Sequence, residues 1–266
     1  MLELERSKEL LDKFGLGTAA MLLEAKLEMA AKREDTYLTF LTELLEDENN
    51  QRGIRSREAR LKLSNLPYHK TIDDFDFSFQ PGIDQRQIKE LKTLSFAARK
   101  ENVIFLGPPG VGKSHLSVAL GMEAIKSGMT VYFVSVADLV RDLKRAEAAG
   151  KLESRWKIYL RVNLLILDEI GYSQLDRNSA ELLFQLISKR YEMGSIIMNS
   201  NKNFSDWGEI LGDSVMATAI LDRLLHHCTV INIRGGETYR LKDRKKAGIL
   251  TVPPANIPAF EDPALE

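Results

Sequence analysis

The amino-acid sequence predicts an α/β fold, a parallel sheet flanked by helices, with a small all-helical domain in front of it. Three observations carry this. Residues 1–66 show apolar residues at helical spacing and no strand signal. From Ile83 onward, short apolar runs alternate with helical stretches, the pattern of a parallel sheet covered on both faces. Between one such run and the next helix, residues 107–114 read Gly-Pro-Pro-Gly-Val-Gly-Lys-Ser, which fits the pattern G-x-x-x-x-G-K-[S/T].

The elements follow in order. Residues 16–31 place Leu16, Ala19, Ala20, Leu23, Leu27 and Ala30 on one helical stripe. Residues 34–46 repeat it with Tyr37, Leu38, Leu41, Leu44 and Leu45, and residues 49–63 form a third, more polar helix that Pro67 ends. The helical domain is thus predicted over 1–66, with three or four helices. Residues 67–82 read as a linker rich in Asp and Phe, and the α/β domain spans 83–250. Its strands are expected at 103–106, 130–134, 163–167, 195–198 and 229–233, separated by helices at 113–127, 136–148, 177–193 and 214–226. Residues 251–266 hold Pro253, Pro254, Pro258 and Pro263 without periodicity and read as a disordered tail.

Bulk properties exclude several classes. The chain has 266 residues and a net charge of −1, so no global charge marks a nucleic-acid binder and any such surface is local. A single cysteine, Cys228, rules out an intrachain disulfide and argues against a Cys-based metal site. The first residues are acidic and lack the apolar core of a secretory signal. No apolar run approaches the roughly 20 residues of a membrane span, so a cytoplasmic protein with no membrane contact is expected.

The loop at 107–114 has a physical job at each fixed position. Gly107, Gly110 and Gly112 free the backbone N–H groups to face a phosphate, with Pro108, Pro109 and Val111 between them. Lys113 can reach the β- and γ-phosphates of ATP, Ser114 offers a hydroxyl to Mg²⁺, and His115 follows at the helix start. Further on, Leu164-Leu165-Ile166-Leu167-Asp168-Glu169 is an apolar strand ending in two carboxylates. Asp168 is placed to hold Mg²⁺ and Glu169 to polarise an attacking water, which argues for hydrolysis rather than binding alone. The next strand ends in Asn199-Ser200-Asn201, which can orient the water, touch the γ-phosphate or simply form a turn. In the last helix Ile220, Leu221, Leu224 and Leu225 form the buried stripe, leaving Arg223 exposed and able to enter a neighbouring subunit's site. A small-metabolite kinase shares the loop, but Glu169 directly after Asp168 and Arg223 late in the chain speak against it.

Two local basic clusters stand out. Between residues 49 and 70 lie Arg52, Arg55, Arg57, Arg60, Lys62 and Lys70 against Glu58 alone. Residues 137–161 carry Arg141, Lys144, Arg145, Lys151, Arg155, Lys157 and Arg161 among four acids. Each reads either as a solvated helix face or as a phosphate-backbone contact. Trp156 and Tyr159 read as core rather than base-stacking groups.

These landmarks resemble the AAA+ ATPases of the initiator and helicase-loader clade, and within it the IstB-like ATPases that help transposases. The likeness rests on Asp73-Asp74-Phe75-Asp76-Phe77, the loop through Leu116, Asp168-Glu169-Ile170-Gly171-Tyr172, Ser205-Asp206-Trp207-Gly208, Tyr239-Arg240-Leu241-Lys242 and, most specifically, Leu221-Asp222-Arg223-Leu224-Leu225-His226-His227. The resemblance implies a P-loop AAA+ sheet of five strands in order 5-1-4-3-2 without a full lid domain. It implies ATP and Mg²⁺ as ligands and Arg223 as an arginine finger. Asn199 or Asn201 takes the sensor-1 position, and Arg240 is the one candidate for sensor 2. It further implies self-assembly into an ATP-bridged oligomer, duplex DNA as a second ligand and a cognate transposase as partner. Arg141, Lys144 and Arg145 are the first DNA candidates, with Arg52, Arg55 and Arg57 in the helical domain. A DnaC-like replicative helicase loader is the alternative within the same clade.

Overall fold

The computed structural model describes residues 2–172, 174–233 and 238–239. Contacts divide the chain into two units, Met1–Ala59 and Arg60–Glu266. Arg240 and the proline-rich tail at 251–266 lie outside the described residues. Among those described, no helix is long and apolar enough to cross a membrane.

The first unit contains α1 (Leu2–Lys13), α2 (Gly17–Arg33) and most of α3 (Tyr37–Leu63). Where two helices were expected at 34–46 and 49–63, a single 27-residue helix runs through. The polar stretch at its middle does not break it, because Glu48 points inward and is only 3% exposed. Its Oε2 accepts from the backbone N–H of Thr18 (2.8 Å) and Ala19 (3.0 Å), two donors in the first turn of α2 that the helix itself leaves free. Arg55 donates to Thr18 Oγ1 at 2.6 Å, and Arg52 donates to the Gly15 carbonyl at 2.8 Å. The apolar core beside this network is small, built on Ala19, Leu23 and Leu44. Burial alone would raise the Glu48 carboxyl, but the Ala19 and Thr18 amides and the Arg55 charge outweigh it and hold the group below the usual carboxylate range.

The second unit is built on a five-stranded parallel sheet, β1 (Asn102–Leu106), β2 (Val131–Ser135), β3 (Leu164–Ile170), β4 (Ser195–Ser200) and β5 (Cys228–Asn232), in the order β2-β3-β4-β1-β5. Alternate side chains feed two cores, as the pleat requires. Val103, Phe105, Leu164, Ile166 and Ile197 face one layer, with Ile88 and Leu91 of α4 (Gln85–Lys92) and Leu116 and Leu120 of α6 (Lys113–Lys126). Ile104, Leu106, Leu165, Leu167 and Met198 face the other, packed by α7 (Val136–Ala148), α8 (Leu152–Leu160), α9 (Arg177–Arg190), α10 (Trp207–Leu211) and α11 (Ser214–Leu225). Between α4 and β1, the short α5 (Ser95–Ala98) adds Phe96 to the first layer. The expected strands and the four expected α/β helices form within a few residues of their predicted ends. The α4, α5, α8 and α10 helices are additions, each short enough that its periodicity spans little more than two turns. Trp156 and Tyr159 on α8 are core, each 1% exposed.

Two anchors tie this unit together. The Ser64 carbonyl accepts from Phe133 N (2.8 Å) and Asn65 Nδ2 donates to Phe133 O (2.9 Å), so the chain after α3 covers the open edge at β2. Arg190 is 1% exposed and fans its donors into backbone carbonyls: Nη1 to Tyr159 (2.7 Å) and Val162 (3.1 Å), Nη2 to Ser195 (2.8 Å) and Asn163 (3.4 Å). It joins the end of α8 to the starts of β3 and β4. Burial lowers its pKa to about 10, so it stays charged at neutral pH.

Two outcomes follow. Arg190→Lys replaces a planar fork by three donors on one point, too few and too short for these carbonyls, and should cost at least about 2 kcal/mol of stability. Thermal unfolding checks this, and an unchanged melting temperature contradicts it. Glu48→Gln should destabilise the first unit by about 1–3 kcal/mol at neutral pH. Because the folded carboxyl sits below its unfolded value of about 4.3, this advantage is full above that pH and shrinks as pH falls through the folded value. Hydrogen exchange at the Thr18 and Ala19 amides between pH 3 and 7 measures it on the order of that range.

Candidate nucleotide and metal site

The loop between β1 and α6 closes a cleft of about 430 Å³ at the carboxyl ends of the strands. Its shape depends on two glycines. Gly107 has φ 150° and Gly112 has φ 104°, and a Cβ would meet the Ile233 carbonyl at 2.7 Å in the first and the Phe75 ring at 2.5 Å in the second. A side chain at either position would push the loop off the sheet or off Phe75. Lys113, 7% exposed at the start of α6, donates to the carbonyls of Gly107 (2.7 Å) and Pro108 (2.8 Å), so the ammonium lies within the curve of the loop. Pro109, Gly110, Gly112, Lys113, Ser114 and His115 all line the cleft. Val111 turns its side chain into the core.

The carboxylates arrive from β3. Asp168 is 7% exposed, and its Oδ1 accepts from Glu169 N and from Asn199 Nδ2, both at 2.9 Å. Asn199 in turn accepts from Ser117 Oγ at 2.7 Å. A buried chain therefore runs from α6 through β4 to β3. Glu169 is exposed, at φ 64°, where the register between β3 and β4 shifts past Leu167. The left-handed conformation of a non-glycine residue costs on the order of 1 kcal/mol. It sits at a bulge of the kind that re-aims side chains beside active sites. Asp168 and Glu169 both line the cleft, as does Asn201, whereas Asn199 is buried behind Asp168. Ser114 and Asp168 both line the cleft and offer hard oxygen donors, a donor set that suits Mg²⁺.

Several cleft residues lie outside the phosphate loop and the β3 carboxylates. Tyr68, Lys70 and Asp74 come from the segment after α3, Tyr172 from the loop after β3, and Tyr239 from beyond β5. Asp74, Tyr172 and Tyr239 fall in stretches that carry the family resemblance, but no periodicity marks the five as neighbours in one cleft. His115 Nε2 lies 2.9 Å from the Thr71 carbonyl, and Asp74 accepts from Thr71 N at 2.7 Å. Burial lowers the His115 pKa. The Tyr68 hydroxyl is pushed up to about 12 by burial and by the Asp168 charge, so it remains a donor. The segment 67–82, read from sequence as a linker, therefore forms part of the wall.

Arg223 is not a residue of this cleft. The expectation that it lies exposed, off a stripe of Ile220, Leu221, Leu224 and Leu225, needs correction. Ile220 and Leu224 are buried, but Leu221 is half-buried and Leu225 is exposed. Arg223 is itself half-buried, its guanidinium 4.8 Å from the Phe184 ring and its Nη1 donating to the Ala219 carbonyl at 3.0 Å. The aromatic face of α9 attracts the cation and covers its stem.

The basic candidates fall into two groups. Arg145 and Arg57 are exposed on α7 and α3. Arg141 pairs with Asp138 at 2.6 Å, and Lys144 with Asp176 at 2.6 Å. The Lys144 ammonium, with the Ser179 amide, holds the Asp176 carboxyl down at about 2. Arg52 and Arg55 serve the Glu48 network, yet their side chains remain 59% exposed. Arg155 pairs with Asp142, which also accepts from Tyr159 Oη, and so ties α8 to α7.

Residues 9–247 match the IstB-like ATP binding protein family. An insertion sequence IS5376 protein of Geobacillus stearothermophilus, named for ATP binding, is 50% identical over 241 residues, covering 91% of this chain and 96% of that protein. The corresponding insertion sequence IS21 protein of Pseudomonas aeruginosa is 52% identical over 229 residues, 86% of each chain. Among solved structures, the DnaC helicase loader superposes with a TM-score of 0.50 at 24% identity, over 66% of this chain and 98% of that one, a likeness of fold. The chain belongs to the IstB-like ATP-binding proteins of the IS21 group, which hydrolyse ATP.

Proposed function

We propose that the protein assembles on duplex DNA through ATP-bridged contacts between subunits, and that this assembly remodels or selects target DNA and activates a cognate transposase. The observation that carries the reading is the division of the catalytic set. Lys113, Ser114, Asp168 and Glu169 share one cleft, while Arg223 is held outside it on α11. A phosphoryl-transfer site gains much of its rate from a cation at the transferring group, and an arginine outside its own cleft can supply one to a neighbour's. The insertion-sequence names of the relatives support the transposition role.

In this reading the N–H groups of the loop and Lys113 take the β- and γ-phosphates of ATP, and Ser114 and Asp168 hold Mg²⁺, which neutralises charge on the phosphates. Glu169 accepts a proton from the attacking water. Asn201, which lines the cleft, takes the sensor position facing the γ-phosphate. Asn199 acts through Asp168 by fixing its orientation. Arg145 and Arg57, exposed on their helices, take DNA phosphates. Arg141 and Lys144 join them, because surface ion pairs are worth at most about 1 kcal/mol and exchange readily for phosphate, whereas Arg52 and Arg55 keep Glu48 and add their charge from a distance.

Mixed assemblies test the shared site. Arg223→Ala alone and Glu169→Gln alone should each lose about 10³-fold or more in ATP turnover. An equal mixture should regain roughly a quarter of wild-type turnover, since that fraction of interfaces pairs an intact Glu169 with an intact Arg223. Wild-type turnover by Arg223→Ala under assembling conditions, or no recovery in a mixture that does assemble, overturns the shared site.

A further inference from the structure

We propose that Glu192, His226 and His227 form a binding site for a divalent transition metal of the zinc class, separate from the Mg²⁺ position in the nucleotide cleft. One ligand atom from each of the three lies within 4.8 Å of the others, the one such trio of His, Cys, Asp or Glu among the described residues. All three are exposed, so an ion can reach them. The two imidazole rings stand 4.1 Å apart.

Local electrostatics favour a cation here. Two helices end at this spot, α9 capped by Tyr191 and α11 capped by His226. Their terminal carbonyls present the negative ends of two helix dipoles. The Tyr191 hydroxyl lies 2.7 Å from His226 Nδ1 and fixes that ring, the kind of outer contact that orients a metal-binding imidazole. Two imidazoles and a carboxylate suit zinc, nickel or copper rather than magnesium or calcium. Cys228 follows directly at the start of β5, partly buried, and is not among the three clustered ligands. A metal bound there would pin together the ends of α9 and α11, the helices that bring Phe184 and Arg223 into contact.

Calorimetric titration of the tag-free chain with Zn²⁺ tests the site, in an Asp168→Ala background that removes the nucleotide-cleft carboxylate. One equivalent should bind saturably and raise the melting temperature. His226→Ala with His227→Ala should weaken binding at least about tenfold and abolish the melting shift, and Glu192→Ala should weaken it similarly. Cys228→Ser should bind as the parent does. Circular dichroism without metal checks that the histidine variant folds, and where it does not, Glu192→Ala carries the test. No saturable uptake, uptake unchanged in the folded variants, or uptake lost with Cys228→Ser overturns the site.

Discussion

Asn199 is the point on which the nucleotide site depends. It sits on a central strand between the strand that feeds the phosphate loop and the strand that carries Asp168. Its side chain is 1% exposed, and a buried amide must find partners for both ends. One end takes a hydrogen from Ser117 on α6, and the other gives one to Asp168 on β3. Two motifs far apart in sequence are thereby set at a fixed spacing, with no solvent to loosen it. The cost of burying these polar groups is met only while all three are present, so the chain behaves as one unit.

The same logic organises the rest of the fold. Arg190 gathers carbonyls at the opposite end of β3 and β4, and Glu48 gathers free amides at the start of α2. In each case a charged side chain is buried because the backbone groups around it have no other partner. Strain is concentrated at Glu169, the one residue of the cleft that combines a left-handed backbone with a bulged strand.

Much of this was legible in the sequence. The strands and their order follow from apolar runs and the resemblance, and the loop glycines from their spacing, since the chemistry there is local. The wall contributed by Tyr68, Lys70 and Asp74 was not, because those residues are ordered by a chain crossing that no periodicity encodes. Nor was the continuity of α3, where Glu48 looks like part of a polar break until its partners on α2 are seen. Arg223 was singled out by position, but its cover on Phe184 depends on the packing of α9 against α11. Asn199 and Asn201 lie two apart, so strand alternation does not separate them; that Asn199 is buried behind Asp168 while Asn201 lines the cleft depends on where β4 ends, which no periodicity encodes.

The central claim is that nucleotide turnover, assembly and DNA are coupled through a site shared between subunits. Its most direct test measures ATP hydrolysis and particle mass in the same samples, with and without duplex DNA, across a range of salt. The account predicts that duplex DNA raises both together and that added salt lowers both together, as phosphate contacts are screened. A monomer that hydrolyses ATP at one rate, whatever the DNA or salt, would contradict it.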